Sequence, residues 1–328
     1  MKIAVLGAGA WGTAIAISLA ERHAITLWAR NSEQCAAMSA ARSNARYLPG
    51  YRFPDPLCVT EHISIALSQA ELVLIAVPTA ALRDTLRELK RQRYLGAIAW
   101  LCKGFEPGRG RLPHQVSAEE LVDVAQCGVL SGPSFAQEVA RGLPTALTFA
   151  SFSGQWAREL AASLNSPVLR VYSSEDLIGV EVAGALKNVM AIAAGISDGL
   201  EYGYNARAAL ITRGLAEIAR FGIALGGRGE TFMGLAGAGD LILTCTSDLS
   251  RNRRVGLRLA AGEPLDSILA DLGHVAEGVN TARELMRTAR DLGIDMPVTR
   301  AVCRVLEDHT QARSAADELL RRQPRAEH

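Results

Sequence analysis

The chain opens on an apolar run at residues 2–6, breaks on Gly7-Ala-Gly9-Ala-Trp-Gly12, and continues as a helical pattern over residues 10–21. A GxGxxG match alone is a weak signal, but placed between a strand and a helix it is a strong one. A strand–turn–helix unit uses all three glycines. Gly7 permits the tight turn, Gly9 lets the backbone approach a pyrophosphate, and Gly12 lets helix and strand pack closely. The amides of Ala10 and Trp11 then face the phosphates, with the helix dipole behind them. Trp11 suits both covering this loop and touching a cofactor. The same residues argue against reading the first twenty residues as an export signal, because GAGAWGT interrupts the apolar core such a signal needs.

Downstream, short apolar runs alternate with helical patterns, which predicts a parallel sheet covered on both faces. Strands are expected at residues 2–6, 24–29, 72–77, 97–101, 127–130, 145–150 and 168–171, each bounded by Gly, Pro, Asn or Ser. Residues 44–55, rich in Pro, Gly and Tyr, read as a surface loop. Strand signals stop near residue 172, and helices are expected at 177–196, 205–224, 251–261, 265–273, 281–292, 299–307 and 314–322. Ser250 reads as the N-cap of the helix that starts at Arg251. The expected organisation is an α/β, Rossmann-type dinucleotide-binding domain over 1–175 and an all-α substrate and catalytic domain over 176–328.

A chain of 328 residues accommodates two such domains, and 49% hydrophobic with 21% charged residues describes an ordinary globular composition. Lysine plus arginine number 35 against 34 acids, so net charge offers nothing that recruits nucleic acid or a membrane surface. Six scattered cysteines without a CxxC point to free thiols in a reducing, cytoplasmic compartment. The six histidines show no HExxH or HxxxH spacing, so no protein-bound metal is expected.

The second constraint is Lys187, a lone lysine in an apolar helical run. From Leu177 to Ile196 the only ionisable side chains are Glu181 and Lys187, and their spacing does not put them on one helix face. The run is long enough to span a bilayer, but Glu181, Lys187 and Asn188 inside it favour a buried core helix. An ammonium in an apolar helix is costly unless it is paired or neutralised, and burial moves a lysine toward proton exchange near neutral pH. With a dinucleotide signature in the same chain, Lys187 is the expected catalytic acid–base group.

The cofactor-selecting end of the second strand reads TLWAR, with Arg30 where a strict NAD binder carries an acid. A guanidinium suits the 2′-phosphate of NADP(H), so NADP(H) is preferred and NAD(H) use is left open. Ligands of such sheets collect at the carboxyl ends of the strands, which gathers the glycine loop, Arg30, Pro78-Thr79, Lys103 and Ser131-Gly132-Pro133-Ser134. In the helical half, Asp240 follows a glycine-rich approach, GLAGAG, and taken alone reads as a helix N-cap. Ser250-Arg251-Asn252 combines an N-cap, free amides and a guanidinium, which suits a phosphate.

Taken in order, GAGAWGT, CKGFE, SGPSFAQEVARGLPTA, GALKNVMAIAAG, NARAALITRGLAE, GLAGAGDLILTCTSDLSRNRR and AEGVNTA resemble the bacterial-type NAD(P)-dependent sn-glycerol-3-phosphate dehydrogenase family, from residue 1 to about 322. The resemblance implies reversible hydride transfer between NAD(P)H and dihydroxyacetone phosphate, giving sn-glycerol 3-phosphate for phospholipid synthesis. It implies Lys187 as proton donor and acceptor. Lys103, Gly132, Ser134, Asp240, Ser250, Arg251 and Asn252 would hold substrate, joined by Asn188 and Thr244 beside them. Trp11, Arg30, Lys103, Ala136, Arg251, Val275 and Glu277 would hold the cofactor. A homodimer is implied as well. Two alternatives remain: a related dehydrogenase of an unphosphorylated 3-hydroxy acid, and a nicotinamide-sensing regulator without turnover. The Ser-Arg-Asn helix start speaks against the first.

Overall fold

Strand–helix alternation in the N-terminal half builds one eight-stranded sheet. The computed structural model describes residues 1–121, 126–272, 277–307 and 310–321. The strands of the chain are β1 (Lys2–Leu6), β2 (Ala24–Trp28), β3 (Ser43–Asn44), β4 (Leu48–Arg52), β5 (Leu57–Thr60), β6 (Leu72–Ile75), β7 (Ala97–Trp100), β8 (Cys127–Ser131), β9 (Thr145–Ala150) and β10 (Leu169–Ser174). The sheet order is β10-β9-β8-β7-β6-β1-β2-β5, so β1 lies between β2 and β6 and the winding reverses there. That reversal is the switch point at which doubly wound sheets take their ligands. β1, β6 and β7 are buried along nearly their whole length, as apolar runs flanked by helices on both faces require. Phe149 and Trp156 close one end of this core edge to face, with ring centroids 4.9 Å apart.

Three features depart from expectation. β9 runs antiparallel to β8, whereas β10 pairs parallel with β9. The link from β8 to β9 holds only the five-residue helix Ala136–Ala140, while that from β9 to β10 holds the longer helix Gly154–Leu164. A full crossover helix is the usual route to a parallel neighbour. β5 is an additional edge strand, too short to announce itself. The stretch expected to be loop carries the hairpin β3–β4, whose Pro49 and Gly50 mask it.

The chain separates into two compact units: Met1–Glu106 with Arg111–Glu181, and Pro107–Gly110 with the residues from Val182 onward. The second is helical. Its elements include Gly203–Ala224, Gly229–Met233, a π-helical turn at Leu235–Gly239, Asp240–Thr246, Arg251–Ala260, Leu265–Leu272, Glu277–Asp291, Pro297–Glu307 and Ala312–Leu320. Gly229–Met233, the π turn and Asp240–Thr246 had no strong periodicity in the sequence, being short and glycine-rich. Glu217 is buried and accepts from the amides of Val298 (2.6 Å) and Thr299 (3.2 Å) and from the Thr299 hydroxyl (3.1 Å). A carboxyl from one helix thereby caps the start of Pro297–Glu307.

The helix Leu177–Gly199 starts on a side-chain cap, Gly179 N donating to Asp176 Oδ1 at 2.9 Å. It is the one helix among the described residues long and apolar enough to cross a membrane, and 94% of that window is buried inside the protein. Its two ionisable residues find separate partners. Glu181 accepts from Trp100 Nε1 at 2.7 Å and from the His114 amide at 2.9 Å, and pairs with His114 Nδ1 at 2.5 Å. Burial raises the Glu181 carboxyl, with the His114 contacts opposing.

Candidate active site

In the first unit, binding capacity is made of backbone. Gly7 has φ +116°, and a Cβ there would lie 2.7 Å from Ala76 O, so only glycine makes this turn. At Gly12 a Cβ would stand 2.0 Å from Gly7 O, which is why the helix can sit against its own incoming strand. Gly9 differs: nothing lies within 4 Å of where its Cβ would be. It caps the helix Ala10–Leu19 without any side-chain hydrogen bond, leaving the first amides of Ala10 and Trp11 without a side-chain cap. Open space over uncapped helix amides fits the pyrophosphate of a dinucleotide. Trp11 packs against the core and is partly exposed, so it serves as cover for the loop.

The loop is held from outside by residues the sequence did not single out. Asn44, buried in β3, donates to Ala8 O (2.9 Å) and Thr13 Oγ1 (2.8 Å), and Gln34 Nε2 also donates to Ala8 O (3.1 Å). No sequence signal marked Asn44, because the burial that obliges its side chain to find partners exists only in the fold. Arg30, two residues beyond β2, is exposed. Past β7 and β8, Lys103 Nζ and Ser134 Oγ both donate to Gly132 O, at 3.2 and 3.0 Å. Gly132 has φ +137°, a conformation that turns its carbonyl to both at little cost. Ala136 opens the short helix that follows. Beyond β6 and at the end of β8, Thr79 Oγ1 and Ser131 Oγ are buried and have no hydrogen-bond partner among the described residues. Orphaned hydroxyls at strand carboxyl ends also fit a bound polar group.

In the second unit, the site is made of charge. Lys187 is 9% exposed and Asp240 1%, and Lys187 Nζ donates to Asp240 Oδ1. The ammonium also donates to Thr244 Oγ1 at 3.1 Å, and that hydroxyl donates to Asp240 O at 2.6 Å. Asp240 therefore does not act as the N-cap that its position alone suggested; its carboxylate is spent on the lysine. The glycine approach explains how. Leu235–Gly239 forms a π turn, and a Cβ on Gly237 would lie 2.1 Å from Phe232 O. The wide turn swings Asp240 inward. One turn along, burial pushes the Cys245 thiol up to about 12, so it stays neutral.

Asn188 Oδ1 accepts from Asn252 Nδ2 at 3.0 Å, and Asn252 Oδ1 accepts from the Gly278 amide at 3.3 Å. Ser250 caps Arg251–Ala260, its hydroxyl accepting from Arg253 N at 3.2 Å. Arg251 is exposed and forms no ion pair among the described residues. Glu277 opens the helix Glu277–Asp291, while Val275 lies outside the described residues. Lys187, Asn188, Asp240, Thr244 and Asn252 thus form connected groups, joined through Lys187 and Asn188 being consecutive. No group of three or more His, Cys, Asp and Glu placed to hold a metal occurs among the described residues.

The chain matches the family described as NAD-dependent glycerol-3-phosphate dehydrogenase in both halves: its N-terminus over residues 2–157 and its C-terminus over 176–317. The glycerol-3-phosphate dehydrogenase [NAD(P)+] of Thiobacillus denitrificans is 59% identical over 327 residues, covering 100% of both chains. That of Nitrosospira multiformis is 56% identical, covering 100% of this chain and 99% of the other. The crystal structure of glycerol-3-phosphate dehydrogenase from Coxiella burnetii superposes with a TM-score of 0.93 at 42% identity, over 98% and 99% of the two chains.

Proposed function

Because the chain belongs to the NAD-dependent glycerol-3-phosphate dehydrogenase family, we propose that it reversibly reduces dihydroxyacetone phosphate to sn-glycerol 3-phosphate, with Lys187 exchanging the proton. The nicotinamide, when bound, supplies or accepts the hydride. Lys187 supports the other half of the reaction. As an ammonium it neutralises the alkoxide developing on the carbonyl oxygen and donates a proton to it; as a neutral amine it takes that proton back. Asp240 compensates the buried charge, and Thr244 fixes the direction in which Nζ points. Arg251, with Ser250 and Asn252, anchors the phosphoryl group, which makes proton transfer effectively intramolecular. Asn188 orients Asn252. Lys103, Gly132 and Ser134 add polar contacts to substrate, and Lys103 serves the cofactor too. Trp11, Arg30, Ala136, Arg251, Val275 and Glu277 complete the cofactor set, with the glycine loop on the pyrophosphate. Arg30 favours NADP(H) over NAD(H). The product feeds phospholipid synthesis in the cytoplasm, and the working form is a homodimer.

The observation that carries this reading is a lysine 9% exposed, bonded to a carboxylate 1% exposed and to a hydroxyl. The test is direct. Purified protein mixed with NADPH or NADH and dihydroxyacetone phosphate should consume reduced nicotinamide. Unphosphorylated dihydroxyacetone should react with kcat/KM lower by about 100-fold or more, since it forgoes the phosphoryl anchor. No oxidation of either nicotinamide with the phosphorylated ketone would sink the assignment. Equal use of both ketones would remove the anchor from Arg251.

A further inference from the structure

The basic start of the helix Arg251–Ala260 contains three arginines with different fates. Arg251 and Arg254 are exposed. Arg253 is buried: its Nε lies 2.8 Å and Nη2 2.7 Å from the largely buried Asp198 Oδ2, and Nη1 reaches the exposed Asp248 Oδ1 at 2.6 Å. Asp198 belongs to the last turn of Leu177–Gly199, the helix that carries Lys187, and Asp248 to the turn that leads into Arg251–Ala260. Arg207 adds a second cation to Asp198 at 2.9 Å. Arg253 therefore links the lysine helix to the helix start that offers Ser250, Arg251 and Asn252.

The two helices touch closely enough for such a link to set register. A Cβ on Gly195 would lie 2.0 Å from Arg253 O, and one on Gly256 would lie 2.1 Å from Ile192 O. At the other end of the contact Asn252 Nδ2 bonds Asn188 Oδ1, next to Lys187. Glycine-to-backbone contact brings the two helices close, and the Arg253 guanidinium, bonded through Nε and Nη2 to Asp198 Oδ2 across that seam, adds a side-chain tie that fixes the register. A shift of the anchor weakens its hold on a phosphoryl group, because charge-assisted hydrogen bonds depend steeply on distance and angle.

We propose that Arg253 is a positioning residue: through Asp198 and Asp248 it sets where Arg251 and Asn252 stand relative to Lys187, and hence the grip on the substrate phosphoryl group, without touching substrate. This rests on the function proposed above, and the test separates the two. Arg253→Gln and Arg253→Lys should raise KM for dihydroxyacetone phosphate by about tenfold and about threefold, with KM for NADPH unchanged. Lysine supplies one point charge in place of the fork, so it rescues in part. The inhibition constant of inorganic phosphate, and its dissociation constant by calorimetry, should rise in parallel. A merely structural role predicts a lower active fraction, seen as reduced kcat at unchanged KM and unchanged phosphate constants, and that result overturns the proposal. If Arg253→Gln fails to fold, Arg253→Lys decides by the same two readouts. Should wild-type protein turn over no dihydroxyacetone phosphate, the function falls first, and phosphate calorimetry still reads the positioning claim: equal binding by wild type and variants, or none by wild type, overturns it.

Discussion

The two units offer opposite materials for binding. In the first, the glycine loop works through absent Cβ atoms and uncapped amides, with Asn44 and Gln34 holding one carbonyl in place. In the second, the candidate site is built around buried charges: Lys187 paired with Asp240, and Arg253 with Asp198. A backbone site is broken by adding one methyl group and is indifferent to most charge changes outside it. A site of buried ions is broken by removing one partner, because the other is left without compensation. The contrast shows why each half is sensitive to a different class of substitution, and each can be tested by the class that should spare the other.

The largest effect belongs to the charge-made half. Lys187→Met should lower kcat by roughly 100- to 10,000-fold, the range lost with a general acid–base group, while KM for NADPH stays within about twofold. Steady-state kinetics decide it, and near-normal turnover would take the lysine out of the chemistry.

Next comes Glu217, a buried acid in the same unit that is satisfied by neutral donors rather than by a bonded cation. Burial raises its carboxyl from the ordinary 4.5 to about 7, and the donors and Arg220 only partly oppose this. The folded state therefore holds the proton more tightly than the unfolded state. The stability this contributes is complete below the ordinary carboxylate value and is lost as pH rises through about 7. At 1.36 kcal/mol per unit, the swing is roughly 3 kcal/mol. Denaturant titrations of wild type and Glu217→Gln between acid and mildly alkaline pH should converge or diverge by that amount, with the wild type losing ground as pH rises. Parallel curves would show that Glu217 titrates as it does in the unfolded chain.

Gly9→Ala tests the backbone-made half without touching its fold. A methyl there meets nothing within 4 Å, so the melting temperature should stay near that of wild type. It occupies the space left for a pyrophosphate, so KM for either nicotinamide should rise about tenfold or more. Gly12→Ala is the contrast, because its methyl meets Gly7 O and should lower stability first. Wild-type cofactor affinity in Gly9→Ala would place the pyrophosphate elsewhere.

The same contrast accounts for what the sequence disclosed. The glycine spacing and the apolar runs are local patterns, so β1, β2, β6 and β7 and the glycine turn after β1 were legible. The lone lysine was legible as an anomaly, though the residues taken alone left Asp240 reading as an N-cap, because the π turn that aims it at Lys187 depends on the Gly237–Phe232 backbone contact. Asn44 lay in a stretch whose Pro and Gly announced a loop, and its role exists only once β3 reaches the glycine loop. That Arg253 turns inward was not legible in SRNRR, since its inward partner is Asp198, 55 residues away in the chain. The antiparallel turn of β9 was hidden for a similar reason, because strand direction follows from the linking helix and not from the strand itself.

Arg30 is the proposed exception that sharpens the comparison, a side chain offered to the cofactor in a unit whose other binding features are backbone. Its guanidinium is exposed beyond the end of β2, so any attraction it exerts on a 2′-phosphate is solvated and salt-screened rather than that of a buried ion pair. The effect should be the smallest of the four. Arg30→Ala should raise KM for NADPH by about fivefold and leave that for NADH unchanged, and the NADPH effect should shrink as ionic strength rises. Arg30→Asp should go further and favour NADH, because an acid at this position bonds the ribose hydroxyl and repels the phosphate. If both nicotinamides respond alike, or neither responds, Arg30 is a solvated strand end and cofactor choice is made by the backbone after all. In that case the division between a unit that binds with main chain and a unit that works with charge would hold without exception.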